Sequence, residues 1–163
     1  MEGAEFVLAG LALGVGVFLA WGSGPVVRIV LFASALVVSA MLFLPGSQLT
    51  SIVGKDAISA MDAMVADSHW SLSDWLHFLI FVWLGLLVWL GRADLRGWKA
   101  WGVIAVLAVA AEVAQGLSPE RSPRVDDVFL NLAGGAFGLL AGFLVCACIM
   151  RRIDGAGCVD RGR

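Results

Sequence analysis

Charge is what this chain has least of. Only 15% of its 163 residues are Asp, Glu, Lys or Arg, against 60% hydrophobic. A soluble domain carries about 25% charged and about 45–50% apolar residues, so the deficit excludes an ordinary soluble fold. The N-terminus lacks a basic segment. It reads Met1-Glu2-Gly3-Ala4-Glu5, whereas a secretory signal needs positive charge ahead of its apolar stretch; the first block is therefore expected to stay with the protein. Cysteine is sparse and odd in number. Cys146, Cys148 and Cys158 lie at or beyond the end of the last apolar block with no histidine nearby, so neither a disulfide nor a metal site is expected, and no cofactor. No Ser or Cys stands in a nucleophile motif. An internal repeat and paired broken helices are also missing, which argues against a transporter.

What remains is apolar sequence in blocks. Spans are expected at about 5–22, 25–45, 74–91, 100–117 and 127–150, each near the roughly 20 residues that cross a hydrocarbon core of about 30 Å. These give one all-α integral membrane domain over 1–150, a bundle of about five transmembrane helices, with a cytoplasmic tail at 151–163. Between the second and third spans, Ala57, Ile58, Met61, Met64 and Val65 recur at helical spacing opposite Lys55, Asp56, Ser59, Asp62 and Asp67. That pattern fits a short amphipathic helix on the membrane surface, or a partly ordered loop. Ser71-Leu72-Ser73-Asp74 is a capping signal for the third span. Placing the N-terminus outside puts Arg28, Arg92, Arg96, Lys99, Arg151, Arg152, Arg161 and Arg163 inside, eight of the eleven basic residues. The excess of Lys and Arg on the cytoplasmic side thus favours N-out, C-in, in the cytoplasmic membrane. Trp83 fits no interfacial belt and is expected to pack internally.

Under that topology the unusual polar residues share one level. Asp74 and His77 fall in the first turn of the third span; Glu112 and Gln115 in the last turns of the fourth; Asp127 and Asn131 in the first turns of the fifth. Arg121 stands in the loop "SPERSPR" between them, beside Glu120 and Arg124. An ionised group inside a membrane helix costs up to about 2.5–3.5 kcal/mol, less near the ends, so Glu112 needs a partner, and Arg121 is the nearest candidate. Structural readings stand beside the functional one. Asp74 and Asp127 suit helix caps, and Glu112, Gln115 and Asn131 suit interhelical hydrogen bonding. Gly134, Gly138 and Gly142 follow Asn131 on the same face, a ladder of small residues that seats one helix closely on another.

The ordered set Asp74-x-x-His77-Phe78, Glu112-x-x-Gln115, Arg121, Asp127-x-x-x-Asn131-x-x-Gly134-x-x-x-Gly138 resembles the VanZ-like family of small membrane proteins, over about residues 40–145. Trp75 departs from it, since the family commonly has Lys after the first Asp; of Asp126 and Asp127, spacing selects Asp127. The resemblance implies a multi-pass protein of the cell envelope whose founding member is associated with low-level teicoplanin resistance. With the cluster of His77, Glu112, Gln115, Arg121, Asp127 and Asn131 facing outward, one expectation is binding of a lipid headgroup or envelope precursor. An alternative is an intramembrane enzyme using the histidine and carboxylates for acid–base work on a lipid-linked or peptide substrate. A third is a purely structural role. The expected partner is membrane lipid or envelope precursor, and no nucleic acid.

Overall fold

The computed structural model describes residues 10, 13–21, 24–43, 46–116 and 123–159. All regular structure among them is helical: α1 at residues 13–20, α2 Pro25–Phe43, α3 Gly46–Val53, α4 Lys55–Val65, α5 Leu72–Gly91, α6 Trp98–Gln115 and α7 Val125–Val159, with a 3₁₀ turn at Ala93–Leu95. The all-α bundle is as expected. Three helices among the described residues are long and apolar enough to cross a membrane, Leu72–Gly91, Trp98–Gln115 and Val125–Arg151. The first two expected spans run partly outside the described residues; within them, α2 is apolar over Pro25–Val37.

The connection after α2 holds two helices rather than one. They divide at Gly54, whose φ of 93° is a conformation that only glycine adopts cheaply. The amphipathic segment is indeed helical as α4, and none of its residues is buried. Met61 and Met64 are exposed, Ile58 and Val65 half-buried, so its apolar stripe lies outside the bundle core.

α5 begins where its sequence says it should. The Ser71 hydroxyl accepts from the Asp74 amide at 3.2 Å, and the Asp74 carboxylate accepts from the Ser71 amide at 2.8 Å. This reciprocal capping box satisfies two of the free amides at the helix start. Asp74 is therefore a cap. Just ahead of it, Trp75 Nε1 donates to Ser68 Oγ at 3.2 Å, and the rings of Trp70, Trp75 and Phe78 cluster.

The bundle centres on α5 and α7, whose mutual contact is the most extensive. Glycine makes it possible. A Cβ on Gly134 would collide with the Phe78 carbonyl oxygen, one on Gly138 with the Val82 carbonyl oxygen, and one on Gly142 would lie 2.7 Å from Trp89 Cβ. The expected ladder therefore faces α5 backbone, with Gly85 meeting Gly135 from the other side. Partners advance together along both chains, so α5 and α7 run parallel. α6 lies against α7 with Ile104 over Gly135, and its buried stripe Ala100, Ile104, Ala108 and Ala111 joins Ile80, Phe81, Leu84, Val88 and Leu139 in the core. Trp83 is not packed inside as expected. It is 44% exposed, because the glycine face of α7 takes the opposite side of α5. α7 also runs on into the expected tail, to Val159.

At the far end of α5 sits a polar anchor that the sequence reading counted only as a cytoplasmic charge. Arg92 is buried. It grips Asp94 in a bidentate pair at 2.9 and 2.8 Å, and its third nitrogen donates to the Phe18 and Leu19 carbonyl oxygens at 2.6 and 3.2 Å. These carbonyls close the last turn of α1, where a cation is favoured. The hydrogen bonds from Arg92 hold the Asp94 carboxyl below its usual range.

Two outcomes follow from the packing, both read by thermal unfolding in detergent. Gly138→Leu should cost more than about 1–3 kcal/mol, since the added side chain meets backbone rather than a flexible neighbour. Arg92→Met should cost about 1.5–3 kcal/mol through lost charge-assisted hydrogen bonds. The stabilising link to Asp94 is present above the ordinary carboxylate range and disappears as pH falls through the lowered value, so wild type and Asp94→Asn should converge in acid.

Candidate functional site

Parallel α5 and α7 with α6 antiparallel to both bring two helix starts and one helix finish to the same end. His77 sits on the second turn of α5, Asp127 and Asn131 on the first turns of α7, and Glu112 and Gln115 on the last turns of α6. Of the residues expected to converge, His77, Glu112, Asp127 and Asn131 come together, and more deeply than a surface pocket: these four are 3%, 4%, 6% and 0% exposed, and Gln115 is buried as well. Depth follows from the glycine ladder, because Gly134 draws the start of α7 against the Phe78 backbone, next to His77. Arg121, the expected partner of Glu112, lies outside the described residues.

The hydrogen bonds run in one chemical direction. A carboxylate only accepts, so the Asn131 amide nitrogen donates to Glu112 Oε1 at 3.4 Å. The Asn131 carbonyl oxygen is thereby turned to His77 Nδ1, 3.1 Å away, and Nδ1 must carry a hydrogen. His77 Nε2 is then the free edge of the ring, and it faces Asp127 Oδ2 at 3.9 Å. Glu112 Oε1 lies 3.8 Å from Nδ1, while its Oε2 accepts the Arg124 backbone N–H at 3.2 Å. One imidazole thus stands between two buried carboxylates, with Asn131 fixing its tautomer. Asp127 is the odd member. Its Oδ1 is buried without a hydrogen-bond partner among the described residues. The start of α7 favours an anion there, as the capping reading expects, but supplies no donor to this oxygen.

Arg124 is, with Arg121, the candidate in the sequence for the cation missing at Trp75. Its backbone ties Glu112, while its side chain, about half exposed, reaches Asp74 at 3.9 Å and Asp126 at 3.7 Å. Standing beside Asp74, it supplies the cation that Trp75 cannot. Spacing from Pro123 and the helix start places Arg124 at the rim, a signal that was present in "SPERSPR" but shared with Arg121.

Chemically, the arrangement can hold a proton between imidazole and carboxylate. It can also offer ligands to a cation: one donor atom from each of His77, Glu112 and Asp127 lies within 4.8 Å of the others. No metal was expected from the sequence, where these residues are 35 and 15 positions apart. The fold puts them together.

A family model described as VanZ/LLP1 matches residues 6–147. The match takes in the first apolar block, which the motif resemblance had left out by starting near residue 40. Comparison with curated proteins and with solved structures gave no match.

Substitutions separate tie from site. Asn131→Leu strands His77 Nδ1 and Glu112 Oε1, and should cost about 1–3 kcal/mol for each abandoned group. Asp127→Asn removes a buried charge lacking a full set of partners. It should leave the melting temperature unchanged or raised in detergent with chelator present.

Proposed function

This chain belongs to the VanZ/LLP1 family, and from that premise we propose that it is a multi-pass protein of the bacterial cytoplasmic membrane. Its cluster end faces the envelope and binds the polar headgroup of a lipid or lipid-linked envelope precursor. The eight-to-three division of basic residues supports this orientation. The observation that carries the reading is Asp127 Oδ1. A bundle that used its polar residues merely as ties would gain by satisfying that oxygen or replacing the group with an apolar one, because buried and incompletely paired polar groups cost stability. Its retention at a helix start, in one cluster with the buried His77, Glu112 and Asn131, fits a group held ready for a ligand.

The rim supplies the recognition chemistry. Arg124 presents an exposed guanidinium in loose ion pairs, suited to a phosphate, and Asp74 and Asp126 beside it suit an ammonium or hydroxyl group. α4 lies nearby with an unburied apolar stripe, as a helix resting on a lipid surface would have. Glycopeptides act on envelope precursors, so the binding of such a precursor would connect this site with the teicoplanin resistance that the family resemblance carries.

A second reading, intramembrane acid–base catalysis, is favoured by the imidazole flanked by two carboxylates at 3.8 and 3.9 Å. Water would be the nucleophile. Turnover of a lipid-linked substrate by purified protein, lost in His77→Gln, would select it over binding alone.

Glycopeptide susceptibility of a strain relying on this protein tests the binding reading. Asp127→Asn and Arg124→Ala should each abolish any protective phenotype, with membrane accumulation and melting temperature maintained. If both variants protect as well as wild type does, the headgroup site is refuted.

A further inference from the structure

We propose that His77, Asp127 and Glu112 form a binding site for one divalent transition-metal ion, of the Zn²⁺ or Mn²⁺ class. The inference rests on the cluster being a ligand site, as the proposed function does, but requires no headgroup.

Four observations carry it. The donor set is one imidazole and two carboxylates within 4.8 Å of each other, the mixture of nitrogen and oxygen that such ions prefer. Metal-bonding donors at about 2.0–2.2 Å stand roughly 3.4 Å apart in a tetrahedral site. The 3.9 Å from His77 Nε2 to Asp127 Oδ2 therefore closes by small side-chain rotations. The imidazole is already oriented: Asn131 accepts from His77 Nδ1 and leaves the Nε2 edge toward Asp127, while Glu112, held by Asn131 and Arg124 nearest the Nδ1 edge, would turn toward the ion. Metal-binding histidines are held in the same way, through the nitrogen that does not touch the ion. Lastly, Asp127 is 94% buried by the 6% exposure of the residue, and its Oδ1 has no partner among the described residues. A dication bound by both oxygens of Asp127 would give Oδ1 a partner and offset the two carboxylates, which with a neutral imidazole carry a charge of two minus.

The competing sink for a soft metal is Cys146 and Cys148. These lie some 20 residues further along α7, about 30 Å away at the rise of a helix, so they are separable by substitution.

The test uses the full chain, purified in detergent, stripped with chelator and reloaded with Zn²⁺ or Mn²⁺ alone. Elemental analysis should find about one ion per chain, and titration should show at least tenfold weaker binding in Asp127→Asn and His77→Gln. Cys146→Ser/Cys148→Ser should bind as wild type does. The ion should also raise the melting temperature of wild type and leave that of Asp127→Asn unmoved, a readout that stands even where His77→Gln fails to fold. Absence of a bound ion in wild type, or undiminished binding in Asp127→Asn, overturns the proposal. If wild type binds no ion while Asp127→Asn and Arg124→Ala still abolish protection, the metal site falls and the headgroup reading stands. Ion binding lost in Asp127→Asn, with protection intact in both variants, establishes the metal site and removes the headgroup reading.

Discussion

Close approach of α5 and α7 is the constraint on which the rest depends. In a lipid-facing bundle, helices gain little from burying apolar surface, since lipid is as apolar as leucine. Van der Waals packing and hydrogen bonding between backbones in near contact must supply the attraction. Gly134, Gly138 and Gly142 let α7 settle on the carbonyls of Phe78 and Val82 and on Trp89. That contact fixes register as well as distance. It sets Asn131 level with His77, and the pair can then share a hydrogen bond at 3.1 Å.

Register decides electrostatics. Glu112 arrives from α6 as an isolated acid among alanines, and its donors come from α7 and the residue just before it, the Asn131 amide and the Arg124 backbone N–H. The chain continues through that amide to the imidazole and ends at Asp127, where it remains incomplete. A network with all members satisfied stiffens a fold; one with a single open position has a place for something else. Because α5 and α7 run parallel, that open position falls among the amides at a helix start, where negative charge is favoured. Function and stability therefore pull apart at one residue. In the proposed binding role Asn131 serves both, whereas Asp127 serves the ligand at some expense to the fold.

The opposite end of α5 solves the same problem differently. Arg92 is as buried as Asp127, but every face of its guanidinium has work, on Asp94 and on the last carbonyls of α1. Its cation also lies 5.5 Å from the Phe18 ring, an attractive arrangement. Closure at that end and an unpartnered carboxylate oxygen at the other distinguish the two ends of the bundle. The family match reaching back to residue 6 agrees with α1 being part of the closed end.

Much of this was legible in the chain itself. Helical content and membrane character follow from block hydropathy, because roughly 20 consecutive apolar residues admit few other structures in lipid. Ser71 and Asp74 announced their capping box, because that interaction closes within three residues. His77, Glu112, Gln115, Asp127 and Asn131 could be placed at one level from helix direction and a rise of about 1.5 Å per residue. Partner identity was another matter. Arg121 looked nearest to Glu112, yet an asparagine 19 residues away and the backbone of Arg124 do the bonding. Trp83 facing outward, Arg92 holding α1, the vacancy at Asp127 and the three-ligand set were likewise invisible. Sequence periodicity specifies which side chains occupy a helix face and how far along it they lie. The rotation of one helix about its axis relative to its neighbours comes only from packing, and a fraction of a turn there determines which polar atoms meet and which are left over.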